Sequence, residues 1–339
     1  MMDGHPDTFF AKIAHELLEE RNNKLSAAGW HSYRTMLLRK LPQLLGKFSA
    51  QFPAMAPSTL ESVHIHSYTR KLIAYSTAEH LRATAYLLLP DRLAPNPMAI
   101  LALHGHGDGH KEVVGISHEG AEQPAEAGDS RYFAHKLAMM GHIVIAPEML
   151  GFGTRRWKER AFAGEERYSC YSLATQLLLC GKTLAGLRVF EARRAIDLLP
   201  ELTGGQARRI GCVGFSGGGM IAALVSALDK RICKTVISGY TNTFQGSIMS
   251  VRHCLDNYIP GILKLAEMPD IIGLIAPRPL FVEAGANDPL FPVKHVRQAY
   301  SRLTEIYRHY HAERQLALDI FPGKHEFSGR RSLAWLVAD

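Results

Sequence analysis

The chain has 339 residues, of which 47% are hydrophobic and 21% are charged. This balance is typical of a globular protein and excludes a disordered one, and a chain of this length can bury a large core without disulfide bonds or metal ions. The formal net charge is +7. The basic residues form short pairs spread along the chain, so we expect a solvated basic surface and no nucleic-acid partner.

Membrane and secretion signals are missing from the sequence. No apolar run approaches the roughly 20 residues that a transmembrane helix needs, and residues 1–7 lack the basic and apolar segments of a signal peptide. The five cysteines are odd in number and contain no C-x-x-C pair, which is typical of reduced thiols. We therefore expect a cytoplasmic protein with no membrane partner.

The first part of the chain predicts helices followed by strands. Apolar residues recur at helical spacing within residues 7–48, and Pro53 and Pro57 then end the pattern. From residue 61, apolar and polar residues alternate, which is typical of antiparallel strands. The predicted strands include Val63 and Ile65, Leu72–Ser76 and Thr84–Leu89.

After Pro90, apolar strands alternate with helices up to the C-terminus. The predicted strands are Ala99–Leu103, Ile143–Ala146, Ile210–Val213, Thr235–Ser238, Leu280–Glu283 and Leu316–Phe321. The predicted helices cover residues 131–140, 172–199, 217–228, 292–310 and 328–337. This alternation predicts an α/β fold with a mostly parallel central sheet and helices on both faces. Residues 1–60 are predicted to be an N-terminal helical extension, and residues 61–339 a single α/β domain.

The segment Gly214-Phe215-Ser216-Gly217-Gly218 stands between a predicted strand and a predicted helix. A G-x-S-x-G match alone is weak, but this strand–turn–helix setting is that of a nucleophile elbow. The serine of such an elbow has a strained backbone, and the flanking glycines avoid clashes with the strand and the helix. Ser216 is therefore the candidate nucleophile, and a glycine-rich turn without chemistry is the alternative.

A nucleophilic serine needs a base, and the base needs an orienting acid. Asp288 follows the strand Leu280–Glu283, and His325 follows the strand Leu316–Phe321. The order Ser216, Asp288, His325 is the order that catalytic triads take in strand–helix folds with this elbow. Glu283 and Asp270 are weaker candidates for the acid, and His295 is a weaker candidate for the base because it lies within a predicted helix.

Acyl transfer also requires N–H groups directed at the oxyanion. One candidate is the backbone N–H of Gly217, the residue after the nucleophile. The second is the backbone N–H of His106, within the glycine-rich loop at residues 104–110 that follows the strand Ala99–Leu103. Only the amide of residue 106 is needed for this function.

The motifs together resemble those of α/β-hydrolase-fold serine esterases, in the branch of dienelactone hydrolases and acetyl xylan esterases. The matching segments are His104–Gly107, Gly214–Gly218, Ile275–Leu280 and Gly323–Phe327. The resemblance spans roughly residues 80–335 and implies an α/β-hydrolase catalytic domain at residues 61–339, with Ser216 as nucleophile, His325 as base and Asp288 as acid. Dienelactone hydrolases carry cysteine in place of Ser216, so the serine favours ordinary carboxylic esters.

Two other site types compete with this interpretation. His104, His106, Asp108 and His110 nearly reproduce the H-x-H-x-D-H cluster of metallo-β-lactamase-type hydrolases, and could ligate zinc. Residues 217–222 fit G-x-G-x-x-A, but the strand after them does not end in the acid that a dinucleotide site requires. We therefore expect neither a metal ion nor another cofactor, and a catalytically silent hydrolase-fold binding protein is the remaining alternative.

The predicted function is hydrolysis of a small-molecule carboxylic ester through an acyl-enzyme. A prolyl-oligopeptidase-like peptidase, a lactonase and a thioesterase would use the same triad and are alternatives. Substrate contacts are expected from the loops at residues 107–130, 147–171 and 240–270, with candidate pocket walls at Trp157, Phe162, Tyr168, Tyr240, Phe244 and Phe291. Self-association through the N-terminal helices is a further expectation.

Overall fold

Nine strands form one sheet in the computed structural model, which describes residues 4–48, 53–117, 120–122, 131–157 and 167–338. Their order across the sheet is β1-β2-β3-β5-β4-β6-β7-β8-β9. The strands are β1 (Ser58–Ile65), β2 (Tyr68–Ala78), β3 (Leu81–Pro90), β4 (Met98–Leu103), β5 (Ile143–Pro147), β6 (Arg209–Phe215), β7 (Ile232–Ser238), β8 (Leu280–Gly285) and β9 (Leu316–Phe321).

Helices connect most of these strands. They are α1 (Pro6–Leu45), α2 (His110–Val113), α3 (Phe133–Met139), α4 (Cys170–Leu179), α5 (Leu184–Thr203), α6 (Gly217–Leu228), α7 (Ile262–Leu265), α8 (Met268–Ile272), α9 (Val293–Arg308) and α10 (Ser332–Val337). The predicted helix at residues 172–199 is in fact two helices, because the chain breaks at Gly181 with φ 66° and turns by 101° between α4 and α5. None of the described helices is by itself long and apolar enough to cross a membrane, and only the bent pair α4 and α5 passes that test together.

The sheet changes from antiparallel to parallel at β5. Strands β1, β2 and β3 pair antiparallel, and β3 also pairs antiparallel with β5. All pairs from β5 through β9 are parallel. The prediction of a mostly parallel sheet preceded by antiparallel strands is therefore confirmed. The carboxyl ends of the parallel strands meet at one edge, where loops from distant parts of the chain come together.

Strand β4 shows why helices cover both faces of the sheet. All its residues are buried, and because side chains alternate along a strand, they divide between two cores. Ala99, Leu101 and Leu103 belong to the core that includes α1, α5, α6, α8 and α9. The residues between them belong to a second core, formed with α3 and α10.

The N-terminal helix α1 contributes to the first of these cores. It is interrupted at Gly29, where φ is 68° and ψ is 163°. Residues before Gly29 are mostly exposed, whereas the residues after it bury one apolar stripe with helical spacing: Trp30, Tyr33, Leu37, Leu41 and Leu45. Residues 30–45 therefore share the core of the sheet instead of extending away from it.

Three hydrogen bonds attach this half of α1 to the C-terminal third of the chain, the longest being from Arg34 to the Leu274 carbonyl at 3.3 Å. The hydroxyl of Tyr33 donates to the Leu265 carbonyl at 2.7 Å, and Nε1 of Trp30 donates to the Tyr310 hydroxyl at 3.0 Å. The exposed half carries Phe9 and Phe10, where the self-association predicted from the sequence would take place.

The buried half of α1 should contribute strongly to stability. Leu41 is 0% exposed and Phe10 is 62% exposed. Leu41→Ala leaves a cavity in the core and should lower the free energy of unfolding by about 2–5 kcal/mol, whereas Phe10→Ala should change it by less than about 0.5 kcal/mol. Urea denaturation of both variants measures the difference. Similar small effects would show that α1 is not part of the core.

Candidate active site

The turn from β6 into α6 places Ser216 in a strained conformation, with φ 53° and ψ −118°. Its amide donates to the Ser238 carbonyl at 2.9 Å. The glycines allow the helix to pack directly on the sheet: a Cβ at Gly218 would lie 2.1 Å from the Leu103 carbonyl oxygen, and a Cβ at Gly214 would lie 2.1 Å from the carbonyl oxygen of Gly218. The local geometry is therefore that of the predicted nucleophile elbow.

The three candidate triad side chains lie in a hydrogen-bonded row. His325 Nε2 is 2.8 Å from Ser216 Oγ, and His325 Nδ1 is 2.8 Å from Asp288 Oδ2. The other oxygen of Asp288 accepts from the amides of Leu290 and Phe291 at 2.8 and 3.0 Å. Burial raises the pKa of Asp288, but these hydrogen bonds and the His325 ring outweigh burial and lower the pKa below its usual value. An ionised Asp288 favours a proton on Nδ1, which leaves Nε2 free to accept from Ser216.

Glu283, a weaker candidate for the acid, has a different position. It is fully buried and accepts hydrogen bonds from the hydroxyls of Ser238 and Ser332 and from the amides of Ser328 and Gly329, all between 2.7 and 3.0 Å. Its four partners occupy its carboxylate and anchor the segment that follows His325. Glu283 thus holds the loop of the base in place and does not contact the base.

The other two weaker candidates also lie away from Ser216. Asp270 forms ion pairs with Arg21 and Arg302 at 2.9 and 3.1 Å. His295 lies on α9, packed against Gly246 and 3.3 Å from Gln298. Neither residue contacts the row of Ser216, His325 and Asp288.

The loop after β4 brings His106 next to the elbow. A Cβ at Gly217 would lie 2.8 Å from His106 Nδ1, so the imidazole itself borders the amide predicted to bind the oxyanion. The other ring nitrogen, Nε2, is 3.1 Å from Asp256. Burial lowers the pKa of His106, but the Asp256 carboxylate outweighs burial and raises it to about 10. Without a further ligand, the imidazole is therefore cationic.

His104 and Glu148 support this loop from inside the protein. His104 Nε2 accepts from the Met149 amide at 3.0 Å, and its Nδ1 lies 2.8 Å from the Gly105 carbonyl. Burial lowers the pKa of His104 to about 3 and raises that of Glu148 to about 7. The two side chains lie 3.4 Å apart, but with these pKa values the contact joins a neutral imidazole to a carboxyl group and is not an ion pair.

The metal-binding alternative for this loop is not supported by its geometry. His104 and His110 both contact Glu148, at 3.4 and 3.3 Å. His106 instead contacts Asp256, and Asp108 pairs with Arg167 at 3.1 Å. The four predicted ligands thus contact three different partners and do not converge on one point.

A cavity of about 400 Å³ opens onto Ser216 and His325. This volume falls within the range of small-molecule sites. The walls combine aromatic, basic, acidic and amide side chains, and they include His106, Glu112, Arg131, Tyr168, Phe215, Gly217, Arg252, His253, Cys254, Asn257, Leu290, Phe291 and Glu326. Arg252, His253, Cys254 and Asn257 lie within a loop expected to contact substrate, but no motif in the sequence singles them out.

The candidate aromatic walls have different positions. Phe291 and Tyr168 line this cavity, and the Phe291 ring stacks on His325 with centroids 5.6 Å apart. Tyr240, Phe244 and Trp157 are not among the wall residues, which differs from the prediction. Tyr240 is buried behind Phe291. The ring of Phe244 packs into the first core and lines a separate apolar cavity beside α7. Phe162 lies outside the described residues.

A family model described as the Abhydrolase family matches residues 20–318. The chain belongs to this family. A protein of Bacillus subtilis (strain 168) named "Putative hydrolase YtaP" is 27% identical to it over 275 residues, which are 79% of this chain and 86% of that protein. The family model begins at residue 20, inside α1, and so includes the buried second half of that helix.

Solved structures share the fold. The "putative acetyl xylan esterase" of Bacteroides fragilis NCTC 9343 has a TM-score of 0.73 at 16% identity, over 91% of this chain and 87% of that one. The glucuronoyl esterase of Solibacter usitatus has a TM-score of 0.65 at 17% identity, over 89% of this chain and 91% of that one. The predicted α/β-hydrolase fold and the family resemblance are therefore confirmed.

Glu148 should make stability depend on pH. Its pKa is about 7 in the folded protein, against an ordinary value of 4.5, so the folded state holds a proton that the unfolded chain releases. The stabilisation that this proton provides is fully present below pH 4.5 and is lost as the pH rises to about 7. Glu148→Gln removes the titrating group. The free energy of unfolding of the variant minus that of the wild type should therefore rise by about 2–4 kcal/mol between pH 4.5 and about 7.

Chemical denaturation at several pH values measures this difference. Glu201→Gln, at an exposed position on α5, is the matched control and should show no such trend. A Glu148→Gln profile parallel to that of the wild type would mean that burial does not shift this carboxyl group.

Proposed function

We propose that this α/β-hydrolase cleaves carboxylic esters with Ser216, His325 and Asp288 as its catalytic triad. One observation carries the proposal: the two hydrogen bonds of 2.8 Å that join the three side chains end at a serine held on a strained elbow. A strained backbone conformation is kept where the surrounding structure compensates for it, which is typical of functional sites. The cavity above Ser216 gives a substrate direct access to the hydroxyl.

Each group in the row would have one task. Ser216 Oγ attacks the ester carbonyl carbon while His325 Nε2 takes its proton, and the carbonyl oxygen becomes an oxyanion. The amides of Gly217 and His106 donate to that oxyanion. His325 then protonates the leaving alkoxide, which departs as the alcohol, and a water activated by the same nitrogen hydrolyses the acyl-enzyme. Asp288 stabilises the imidazolium in both halves of the reaction.

The polarity of the cavity favours an ester with a polar alcohol. The exposed side chains of Arg131, Arg252 and Glu326 form a polar rim of the cavity, and the buried Asn257 adds an amide to its wall. Phe215 and Phe291 lie beside His325. Hydroxyl groups of the alcohol can bond to the polar rim, and a short acyl group fits against the two rings. Two solved structures of the same fold carry the names of an acetyl xylan esterase and a glucuronoyl esterase. A hydroxylated, sugar-like alcohol is therefore the substrate class that we propose.

Ser216→Ala should abolish the activity. We expect hydrolysis of p-nitrophenyl acetate to fall by at least about 10³-fold, because the variant has no nucleophile. The control Ser250→Ala, at an exposed position, should match the wild type.

Acyl chains longer than butyrate should be cleaved more slowly, and an acetylated sugar should be deacetylated. Wild-type turnover by Ser216→Ala would refute the mechanism, and faster cleavage of peptide amides than of esters would favour a peptidase.

Asp288→Asn tests the task of the acid. The amide cannot stabilise the imidazolium and favours the wrong imidazole tautomer, so kcat should fall by about 10³–10⁴-fold. KM should change little, because Asp288 lies behind His325 and does not line the cavity. Asp91→Asn, at an exposed position, serves as control. A loss of less than about tenfold would assign the orienting role to another group.

A further inference from the structure

Four side chains that the proposed mechanism does not use converge beside the elbow. They are His106 from the loop after β4, Cys170 at the start of α4, and Cys254 and Asp256 from the loop between β7 and α7. Their ligand atoms all lie within 4.8 Å of one another, and no other group of three or more such residues was found in the described part of the chain. This set shares only His106 with the metal-binding loop considered in the sequence.

The donor atoms are those that zinc prefers. Two thiolates, an imidazole and a carboxylate are the usual zinc ligands, and four protein ligands without an open position are typical of a structural zinc site. In a tetrahedral centre with zinc bonds of about 2.0–2.3 Å, neighbouring ligand atoms are roughly 3.3–3.8 Å apart. Here His106 Nε2 is 3.1 Å from Asp256 Oδ2 and 3.8 Å from Cys170 Sγ. Zinc would require these three atoms to move by only a few tenths of an ångström, and no two ligand atoms of the cluster are more than 4.8 Å apart.

Arg188 gives the cluster the outer contacts of a metal site. It is fully buried and is held by the Leu150 carbonyl, which accepts from its Nε and Nη2 at 3.0 and 2.7 Å. From that position it donates to Cys170 Sγ at 3.1 Å and to Asp256. The second oxygen of Asp256 accepts from the side-chain amide of Asn257 at 2.8 Å. Such outer hydrogen bonds orient metal ligands and tune their charge.

The charges of this buried cluster balance when zinc is bound. Two thiolates and a carboxylate carry three negative charges, and zinc and the Arg188 guanidinium together carry three positive ones. Without a metal, the cluster is instead held by the ion pairs of Asp256 with His106 and Arg188. Zinc therefore has to displace the His106 proton and the thiol protons, as metals generally do when they bind such ligands.

We propose that His106, Cys170, Cys254 and Asp256 form a structural zinc site that fixes the oxyanion side of the catalytic cavity. Coordination through His106 Nε2 keeps a proton on Nδ1, the nitrogen that borders Gly217. The same ion ties together three segments of the chain, two of which contribute Cys254 and His106 to the cavity wall. This role for the metal rests on the proposed function, whereas the site itself does not.

Metal analysis of the full chain tests the site. We expect one zinc per chain after expression with added zinc, removal by a strong chelator, and recovery on titration with zinc alone. Cobalt in place of zinc should give the intense absorption of a tetrahedral thiolate complex. Cys254→Ser should weaken zinc binding by at least about tenfold, and Cys180→Ser, which changes an exposed cysteine, should bind like the wild type.

The measurements are repeated in the Ser216→Ala background, so that they do not depend on catalysis. There, zinc should raise the thermal midpoint of the metal-free protein, because binding to the native state stabilises it, and Cys254→Ser should lose this shift. In the chain with Ser216 intact, chelation should lower kcat for p-nitrophenyl acetate and zinc should restore it. If chelation leaves kcat unchanged while zinc binds as expected, the site stands and its link to the oxyanion is wrong.

Asp256→Asn is a secondary variant, because it leaves Arg188 buried beside a neutral amide and can unfold the protein. The deciding variant is Cys254→Ser, whose side chain is only half-buried. Absence of zinc uptake by the reduced wild-type chain overturns the proposal, as does wild-type affinity in Cys254→Ser. A Cys170–Cys254 disulfide in the freshly purified chain, seen as the loss of two hydrogen masses, overturns it in favour of a redox pair. None of these results affects Ser216-dependent hydrolysis, so the zinc proposal can fail while the proposed function holds.

Discussion

The close contact between α6 and the ends of β4 and β6 is the constraint on which the site depends. The backbone of α6 is in direct contact with the backbone of β4, since any Cβ at Gly218 would overlap the carbonyl of Leu103. This contact leaves no room for the chain to relax at Ser216, so the serine keeps its left-handed φ and its hydroxyl stays at the carboxyl edge of the sheet. The position of the nucleophile is thus set by packing in the middle of the sheet, which is the most rigid part of an α/β fold.

Buried carboxylates hold the loops that face this serine. Asp288 accepts two amides of its own loop as well as His325, and Glu283 accepts four donors from β7 and from the segment after His325. A buried carboxylate without hydrogen-bond donors lowers the stability of the fold. A carboxylate whose oxygens are all hydrogen-bonded instead holds its donors in a single arrangement. These hydrogen bonds therefore fix the position of the loop of the base, although the loop has no regular structure of its own.

The sequence was sufficient for the features that depend on local pattern. Apolar runs identified the parallel strands, and the strand-to-helix setting of Gly214–Gly218 identified Ser216. Contacts between distant segments could not be predicted: Cys170, Arg188 and Asp256 belong to no motif, and only the folded chain brings them to His106. The prediction for Phe244 failed for the same reason, because its ring suits a core as well as a pocket. Periodicity likewise suggested one helix at residues 172–199, where Gly181 allows a sharp turn that the apolar pattern conceals.

The burial of α1 affects the order in which the molecule can assemble. Trp30 bonds to Tyr310 and Tyr33 to the carbonyl of Leu265, so these two partners of α1 are synthesised 280 and 232 residues after the residues that they bind. During synthesis the apolar stripe at residues 30–45 lacks these two native partners until they have been made. Long-range contacts of this kind slow folding and expose an intermediate to aggregation. The stripe begins just after the interruption at Gly29, and the mostly exposed first half of α1 does not extend it.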